Sequence, residues 1–253
     1  MSRKEAPPDA FGKSAREYEL GRTEWPQELV ERVADDLELG PDAAVLDLGA
    51  GTGKLTRDLV TRFEKVIAVE PDGAMREVLE EVVPNAEALA GSGEAIPLPD
   101  DSVDAVFTAE AFHWYASDES VAEIVRVLRP HGGLAILWNL DFGDPEPPMG
   151  DELERVLDAA FEQGGAPGIG RVLSGFWREP LEKAAFEPLQ EAEVQRTVTR
   201  TRDLWLANIL SVSSIASLPD ADQETLAGRL LELVPDVEYR WSIRTIVYWT
   251  RLA

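Results

Sequence analysis

Three glycines and one carboxylate have the spacing of a nucleoside-binding site. Gly49, Gly51 and Gly53 alternate through a short segment that follows an apolar run, and Glu70 ends the next apolar run along the chain. Glycine can adopt a positive φ and lets a ligand approach the backbone closely. A carboxylate can accept two hydrogen bonds at once, for example from the 2′- and 3′-hydroxyls of a ribose. Together these features indicate a site that holds a nucleoside.

Two strands and a helix must position these residues. The pattern predicts a buried strand at residues 45–48, a helix at residues 54–63 and a second strand at residues 66–69, directly before Glu70. Strand, glycine turn, helix and strand form a βαβ unit, and ligands of such units lie at the carboxyl ends of the strands.

The glycine spacing narrows the choice of nucleoside. A dinucleotide fingerprint needs a third glycine at position 54, where this chain has Lys54. A phosphate-binding loop needs serine or threonine after the lysine, and here Leu55 follows. Neither a dinucleotide pyrophosphate nor a nucleotide triphosphate is therefore the expected ligand.

The segment around the glycines resembles motif I of the class I S-adenosylmethionine-dependent methyltransferases. In that family the glycine turn passes under the methionine end of the cofactor, and the acid that ends the second strand holds the ribose. The resemblance implies S-adenosyl-L-methionine as cofactor and S-adenosyl-L-homocysteine as product. The alternative is a turn that merely connects strand to helix. The implied cofactor-binding residues here are Asp47, Gly49, Ala50, Gly51, Thr52, Gly53, Glu70 and Pro71.

Later segments resemble the parts of the family's site that contact adenine. Met75 lies in a predicted helix that ends before Pro84, at a position that in the family packs beside adenine, although a core role is equally consistent. Residues 91–98 follow a short predicted strand and resemble the second adenine-binding motif. Serine replaces the usual acid there. The implied contacts are Ser92, the Gly93 backbone, Glu94 and, at the end of the fourth predicted strand, Ala109.

An aromatic segment with a histidine follows that fourth strand. Phe112-His113-Trp114 resembles a subgroup that includes trans-aconitate methyltransferase-like proteins. The resemblance implies that His113 and Trp114 line the acceptor pocket. His113 is the neutral-pH base near the predicted site, which makes it the candidate catalytic residue if the acceptor must lose a proton. The alternative is a structural histidine beside a core tryptophan. Trp138, at the end of the fifth predicted strand, is a further candidate for substrate binding or for the core.

The N-terminal part of the chain contains a possible lid. Residues 18–26 resemble a tyrosine-arginine-proline segment that folds over the cofactor in many small-molecule methyltransferases, although Thr23 stands where proline is expected. The resemblance assigns Tyr18 and Arg22 to the methionine carboxylate or to the substrate. An ordinary surface segment is the alternative.

The remaining pattern predicts one α/β domain. Periodicity supports a mainly parallel sheet flanked by helices. The resemblance implies a Rossmann-like, doubly wound sheet of seven strands with an antiparallel last strand and a helical cover over its carboxyl edge. The expected parts are a lid segment at 1–25, a cofactor-binding core at 26–140, a substrate cover at 141–185 and a C-terminal part at 186–253.

Two stretches are predicted as irregular structure. Residues 129–133 are expected to turn into a fifth strand at 134–140, which would place His131 on a surface loop. Residues 141–150 are rich in proline, glycine and acid and are expected to form a loop.

Composition restricts the possible partners. The 253 residues include 48 acidic and 24 basic side chains, a formal net charge of −24. Such a charge argues against nucleic-acid or anionic-membrane binding, which needs Lys and Arg. With no cysteine and only 2 histidines, a metal site is not expected. No signal peptide or membrane span is recognisable, so a soluble cytoplasmic protein is expected.

The sequence therefore predicts methyl transfer from S-adenosylmethionine to a small molecule. Two other classes stay open at this point: a non-catalytic S-adenosylmethionine-binding regulatory protein, and a nicotinamide-dependent oxidoreductase, which the glycine spacing argues against.

Overall fold

A seven-stranded sheet organises the computed structural model, which describes residues 15–148, 150–164 and 169–253. Within the sheet the strands lie in the order β3-β2-β1-β4-β5-β7-β6. The strands are β1 (Ala44–Leu48), β2 (Lys65–Val69), β3 (Glu87–Leu89), β4 (Val103–Ala109), β5 (Leu128–Glu146), β6 (Gln190–Arg200) and β7 (Tyr239–Arg251).

The strand directions confirm the predicted fold class. The neighbours from β3 to β5 pair in parallel, and β7 pairs antiparallel to both β5 and β6. The chain runs outward from β1 to β3 and then returns to place β4 on the other side of β1. The carboxyl ends of β1 and β4 thus form a switch point, where ligands bind in open α/β sheets.

Helices cover both faces of the sheet, which explains the continuous apolar runs of its strands. On one face Val45 and Phe107 pack with Leu29, Val33 and other residues of the first helices. On the opposite face the intervening strand residues pack against a second set of helices. The helices are α1 (Ala15–Gly21), α2 (Gln27–Asp36), α3 (Thr56–Arg62), α4 (Gly73–Val82), α5 (Phe112–Tyr115), α6 (Asp118–Val127), α7 (Asp151–Gly164), α8 (Ile169–Leu173), α9 (Arg178–Lys183), α10 (Arg202–Leu210), α11 (Ser213–Ala216) and α12 (Asp220–Leu233).

Strand β5 is much longer than the predicted 134–140, and two expectations about its flanks are wrong. The expected turn at 129–133 is an irregularity within β5, since Leu128 pairs with Val103 and Gly133 with Ala105. His131 lies exposed in this irregularity, with φ 63°.

The expected loop at 141–150 is also partly wrong. Residues 141–146 continue β5, because Asp141, Phe142 and Glu146 pair with the long antiparallel strand β7 on either side of an irregularity at 143–145. Local polarity predicted a loop, but pairing with a strand about a hundred residues away decided the conformation.

Two searches of the described residues were negative. No helix in the described part of the chain is long and apolar enough to cross a membrane. No group of three or more His, Cys, Asp or Glu side chains within the same ranges could hold a metal ion.

Candidate active site

A cavity of about 730 Å³ lies at the carboxyl edge of the sheet. Its volume is within the range of small-molecule sites. The end of β1, the residue after β2, the segments after β3 and β4, and two residues within β5 contribute to its walls. Of the residues assigned from the sequence, its lining includes Tyr18, Arg22, Asp47, Gly49, Ala50, Gly51, Glu70, Pro71, Met75, Ser92, Gly93, Glu94, Ala109, His113 and Trp114.

The glycine turn itself explains why Thr52 and Gly53 are not among the cavity-lining residues described. Gly49 has φ 75°, and a Cβ there would lie 2.6 Å from the Ala111 Cβ. A Cβ on Gly53 would lie 3.0 Å from the Val83 side chain. The Thr52 hydroxyl donates to the Glu19 carboxylate at 2.7 Å. Gly53 therefore serves the packing of the turn on α4, while Gly51 faces the cavity.

Glu70 is held at the edge of the cavity by two backbone amides. Gly51 N–H donates to its Oε2 at 2.8 Å and Asp72 N–H to its Oε1 at 2.9 Å. Burial raises the pKa of this carboxyl, and the two amides oppose that shift. The carboxylate thus joins the end of β2 to the glycine turn, where a ribose is expected.

Asp47 carries an unsatisfied oxygen in the cavity wall. The side chain is 1% exposed, and the Thr56 hydroxyl donates to its Oδ2 at 2.6 Å. Its Oδ1 is buried and has no hydrogen-bond partner among the described residues. Burial raises the pKa of Asp47 from 3.8 to about 7. A buried, unpaired carboxylate oxygen is costly unless a ligand supplies a donor.

Tyr115 is a cavity residue that the sequence did not reveal. Its hydroxyl bonds to Thr108 Oγ1 at 2.7 Å and donates to the Leu48 carbonyl at 3.2 Å. A Cβ on Gly93 would lie 2.4 Å from its ring. Burial raises the pKa of the phenol. The ring therefore fills the space between the glycine turn and the expected adenine segment, one residue after Trp114.

The close approach of Gly93 to Tyr115 gives a first testable prediction. Gly93→Ala should push the ring toward the cavity and weaken S-adenosylhomocysteine binding about 5- to 150-fold, because overpacking costs about 1–3 kcal/mol. Calorimetric titration and thermal unfolding measure this. Gly228→Ala is the matched control, since the space around Gly228 in α12 is open. That control should leave binding unchanged and stabilise the helix slightly; equal effects of the two substitutions would contradict the prediction.

His113 is fixed by Trp138, which lies behind it. The Trp138 indole N–H donates to His113 Nδ1 at 3.2 Å. Trp138 is 1% exposed and is not among the described residues that line the large cavity. Its assignment to substrate binding stays a prediction; in the structure the indole lies behind His113, a residue that does line the cavity. Because Nδ1 accepts a hydrogen bond, the neutral imidazole carries its hydrogen on Nε2 and acts there as a donor.

The segment that contains α1 lies against the glycine turn and α10. Arg22 donates through Nε and Nη2 to the hydroxyl and carbonyl oxygens of Ser211, both at 3.1 Å, and its guanidinium lies 5.0 Å from the Tyr18 ring centre. Burial raises the pKa of Tyr18 to about 12. Asn208 Nδ2 donates to the Gly21 carbonyl at 3.2 Å. Tyr18 and Arg22 are thereby held in the cavity wall.

Ion pairs attach the same segment to the glycine turn. Lys54 lies 2.7 Å from the Glu24 carboxylate and 3.6 Å from that of Glu19. Arg57 pairs with both acids. Lys54 stands where the dinucleotide fingerprint has a glycine. Its ion pairs hold the segment that contains α1 on the glycine turn.

Several cavity residues come from distant parts of the chain. Glu110 follows β4 with φ 54°, a conformation that costs energy in a non-glycine residue, and accepts from Asn139 N–H at 2.7 Å. Arg200 ends β6, is buried and stacks on Trp241 with 5.6 Å between guanidinium and ring centre. The sequence could have indicated Arg200, because this residue lies at the end of a strand. No sequence pattern points to the further lining residues Asn208, Val212 and Ser213.

Comparison with known proteins agrees with this geometry. Residues 46–136 match the family model described as a methyltransferase domain. The chain is 31% identical over 251 residues to an uncharacterised methyltransferase of Schizosaccharomyces pombe, covering 94% of this chain and 95% of the relative. It is 41% identical over 101 residues to malonyl-[acyl-carrier protein] O-methyltransferase of Methylococcus capsulatus, covering 38% and 37%.

A solved structure supports the fold. A proposed type II methyltransferase from Anaeromyxobacter dehalogenans matches with a TM-score of 0.63 at 22% identity, covering 91% of this chain and 98% of that one. The fold is that of a Rossmann-like α/β protein. The chain belongs to the class I S-adenosylmethionine-dependent methyltransferases.

Proposed function

We propose that this protein transfers the methyl group of S-adenosylmethionine to a small-molecule acceptor by in-line displacement. The observation that carries the proposal is a single cavity lined at once by Glu70, the glycine turn, His113 and Trp114. Donor and acceptor can therefore share one enclosed space. Good positioning can supply roughly 7–11 kcal/mol of a reaction barrier.

The cofactor half of the cavity fits S-adenosylmethionine on three points. The Asp47 Oδ1, buried without a partner among the described residues, suits the ammonium of the methionine part. The Glu70 carboxylate suits the ribose hydroxyls. Tyr115 and Gly93 line the part of the cavity that suits the adenine. When bound, the cofactor supplies a methyl group that is already electrophilic because its sulfur is positively charged.

In the acceptor half His113 acts as a hydrogen-bond donor. Its Nδ1 accepts from Trp138, so a hydrogen bond to the acceptor would be made through Nε2–H. An acceptor that is already ionised, such as a carboxylate, fits this arrangement because no proton has to be removed. The Methylococcus relative is named for O-methylation of a malonyl group. The role of His113 is thus to orient the acceptor, and the earlier alternative of a general base is less well supported.

The decisive assay uses labelled S-adenosylmethionine and a panel of small carboxylic acids, phenols and amines. We expect label to appear in a carboxylic acid first. The matched control is Glu70→Ala, which should lose transfer at low cofactor concentration. Binding of S-adenosylhomocysteine without transfer to any compound would instead support the regulatory alternative.

The burial of Asp47 predicts a pH-dependent cofactor affinity. Burial raises its pKa to about 7. A raised acid pKa favours the folded protein at low pH, and this contribution is lost as the pH rises to about 7. An ammonium beside the carboxylate favours the ionised form, so S-adenosylhomocysteine should bind about tenfold more tightly at pH 8 than at pH 6 and release a proton.

Calorimetry in buffers of different ionisation enthalpy measures that proton. Asp47→Asn should abolish both the proton release and the pH dependence. Unchanged proton release in this variant would assign the titration to another group.

A further inference from the structure

A second, smaller cavity of about 80 Å³ adjoins the large one. Leu140 and Val172 line both cavities, so the two cavities share these apolar side chains as part of their walls. We call the smaller cavity the aromatic side pocket. Its described lining comprises Trp138, Leu140, Val172, Leu173, Gly175, Trp177, Arg178, Ile246 and Tyr248.

The two tryptophans of the side pocket present ring faces to it, because both indole N–H groups are engaged elsewhere. Trp177 Nε1–H donates to the Val172 carbonyl at 3.1 Å, and that of Trp138 donates to His113. The ring centres of Trp138 and Trp177 are 4.9 Å apart, and those of Trp177 and Tyr248 are 5.0 Å apart. An occupant of the side pocket would therefore contact mainly ring faces and aliphatic groups, with the guanidinium of Arg178 beside them.

The positive charge of Arg178 makes a positively charged occupant unfavourable. Its guanidinium lies 4.6 Å from the ring centres of both Trp177 and Tyr248. These two faces already stabilise one cation, so a second positive group beside them would be repelled. Three aromatic rings would suit a quaternary ammonium, but the guanidinium of Arg178 disfavours it relative to a neutral group.

We propose that the aromatic side pocket binds a short, neutral aliphatic arm of the methyl acceptor. This inference rests on the proposed function, because it extends the acceptor half of the large cavity. The pocket has room for roughly three water-sized groups, at about 30 Å³ each. The acceptor is then amphipathic, with a polar atom at His113 and an apolar arm that passes Leu140 and Val172.

Trp138 connects the two parts of this acceptor site. One side chain supplies a wall of the side pocket and, through its N–H, the orientation of His113. An arm seated in the side pocket is therefore in contact with the residue that fixes the hydrogen-bond donor. Acceptors without the arm should be turned over with a lower kcat as well as a higher KM.

The test uses n-alkanols from ethanol to hexanol as neutral probes on the full chain saturated with S-adenosylhomocysteine. Indole N–H signals of ¹⁵N-labelled protein report binding. We expect affinity to rise about three- to fourfold with each added methylene until the pocket is full, from the transfer free energy of a CH₂ group. The largest shifts should fall on Trp138 and Trp177.

Two variants and one control sharpen the test. Val172→Phe should block the passage and remove the dependence on chain length. Ile246→Ala enlarges the pocket and should move the preferred probe to a longer chain, which keeps the test open if the first variant fails to fold. Val82→Phe, on a partly exposed helix position, should change nothing.

The outcomes separate this inference from the proposed function. Labelled methyl transfer with no chain-length dependence, and no alkanol shifts at Trp138 or Trp177, would overturn the side pocket while the methyltransferase proposal stands. Alkanol binding with the expected dependence but no transfer to any compound would overturn the small-molecule methyltransferase proposal and leave the pocket as an apolar ligand site.

Discussion

Glu70→Ala is expected to weaken S-adenosylhomocysteine binding by about 1.5–3 kcal/mol, or about 10- to 150-fold, on the scale of hydrogen bonds to a charged group. The buried carboxylate stands at the end of β2, in the cavity wall, where the hydroxyls of a ribose can donate to it. Because it also accepts from Gly51 and Asp72 N–H, the variant should lose some stability as well. Calorimetric titration together with thermal unfolding separates the two effects.

Two further substitutions complete this experiment. Glu70→Gln keeps one carbonyl oxygen but turns an amide donor toward another donor, so its affinity should lie between those of the wild type and Glu70→Ala. Glu80→Ala removes an exposed carboxylate from α4 and should not change binding. An unchanged affinity in folded Glu70→Ala would remove Glu70 from the ribose site.

The second large effect is expected at His113. His113→Ala should lower kcat about 100-fold, because the acceptor loses the hydrogen bond that orients it and a misplacement of about 1 Å can cost that much. The Kd of S-adenosylhomocysteine should stay within about threefold, because the histidine serves the acceptor half. Steady-state kinetics and calorimetry provide the two numbers.

Trp138→Phe tests whether the indole positions this histidine. It keeps the aromatic wall but removes the donor to Nδ1, so kcat should fall about 2- to 10-fold, as for one neutral hydrogen bond. His131→Asn is the control, because His131 lies exposed on the irregular part of β5 and asparagine tolerates its positive φ. Full activity in His113→Ala would reduce His113 to a packing role.

The glycine turn and Glu70 could be predicted because they belong to a local unit. Strand, turn, helix and strand follow one another between Ala44 and Glu70, and parallel pairing of β1 with β2 brings the carboxylate to the Gly51 amide. A short sequence therefore contains nearly all the information that positions this part of the site. The same holds for His113 and Trp114, which directly follow β4.

The rest of the site depends on contacts between distant residues. Trp138 and Trp114 carry the same side chain near strand ends, but only the packing of Trp177 and Tyr248 around Trp138 places it behind His113. Asn208 enters the cavity wall because α10 packs on Gly21. No local sequence pattern in either segment predicts such a contact.

The length of β5 shows that prediction of the fold from local sequence has the same limit. Its last residues are polar and contain proline, which favours a loop, yet β7 pairs with them as far as Glu146. Tertiary pairing outweighs local preference there. Strands β5, β6 and β7 are longer than the other strands of the sheet. Leu140 of β5 and Arg200 of β6 thereby reach the acceptor side of the cavity.

Parallel calorimetric titrations of the wild-type protein with S-adenosylhomocysteine and with NAD test the central claim most directly. A glycine turn and a buried carboxylate built for S-adenosylmethionine predict saturable binding of S-adenosylhomocysteine at a single site and no measurable heat from NAD. Saturable binding of NAD, or no binding of S-adenosylhomocysteine by the folded protein, would contradict it.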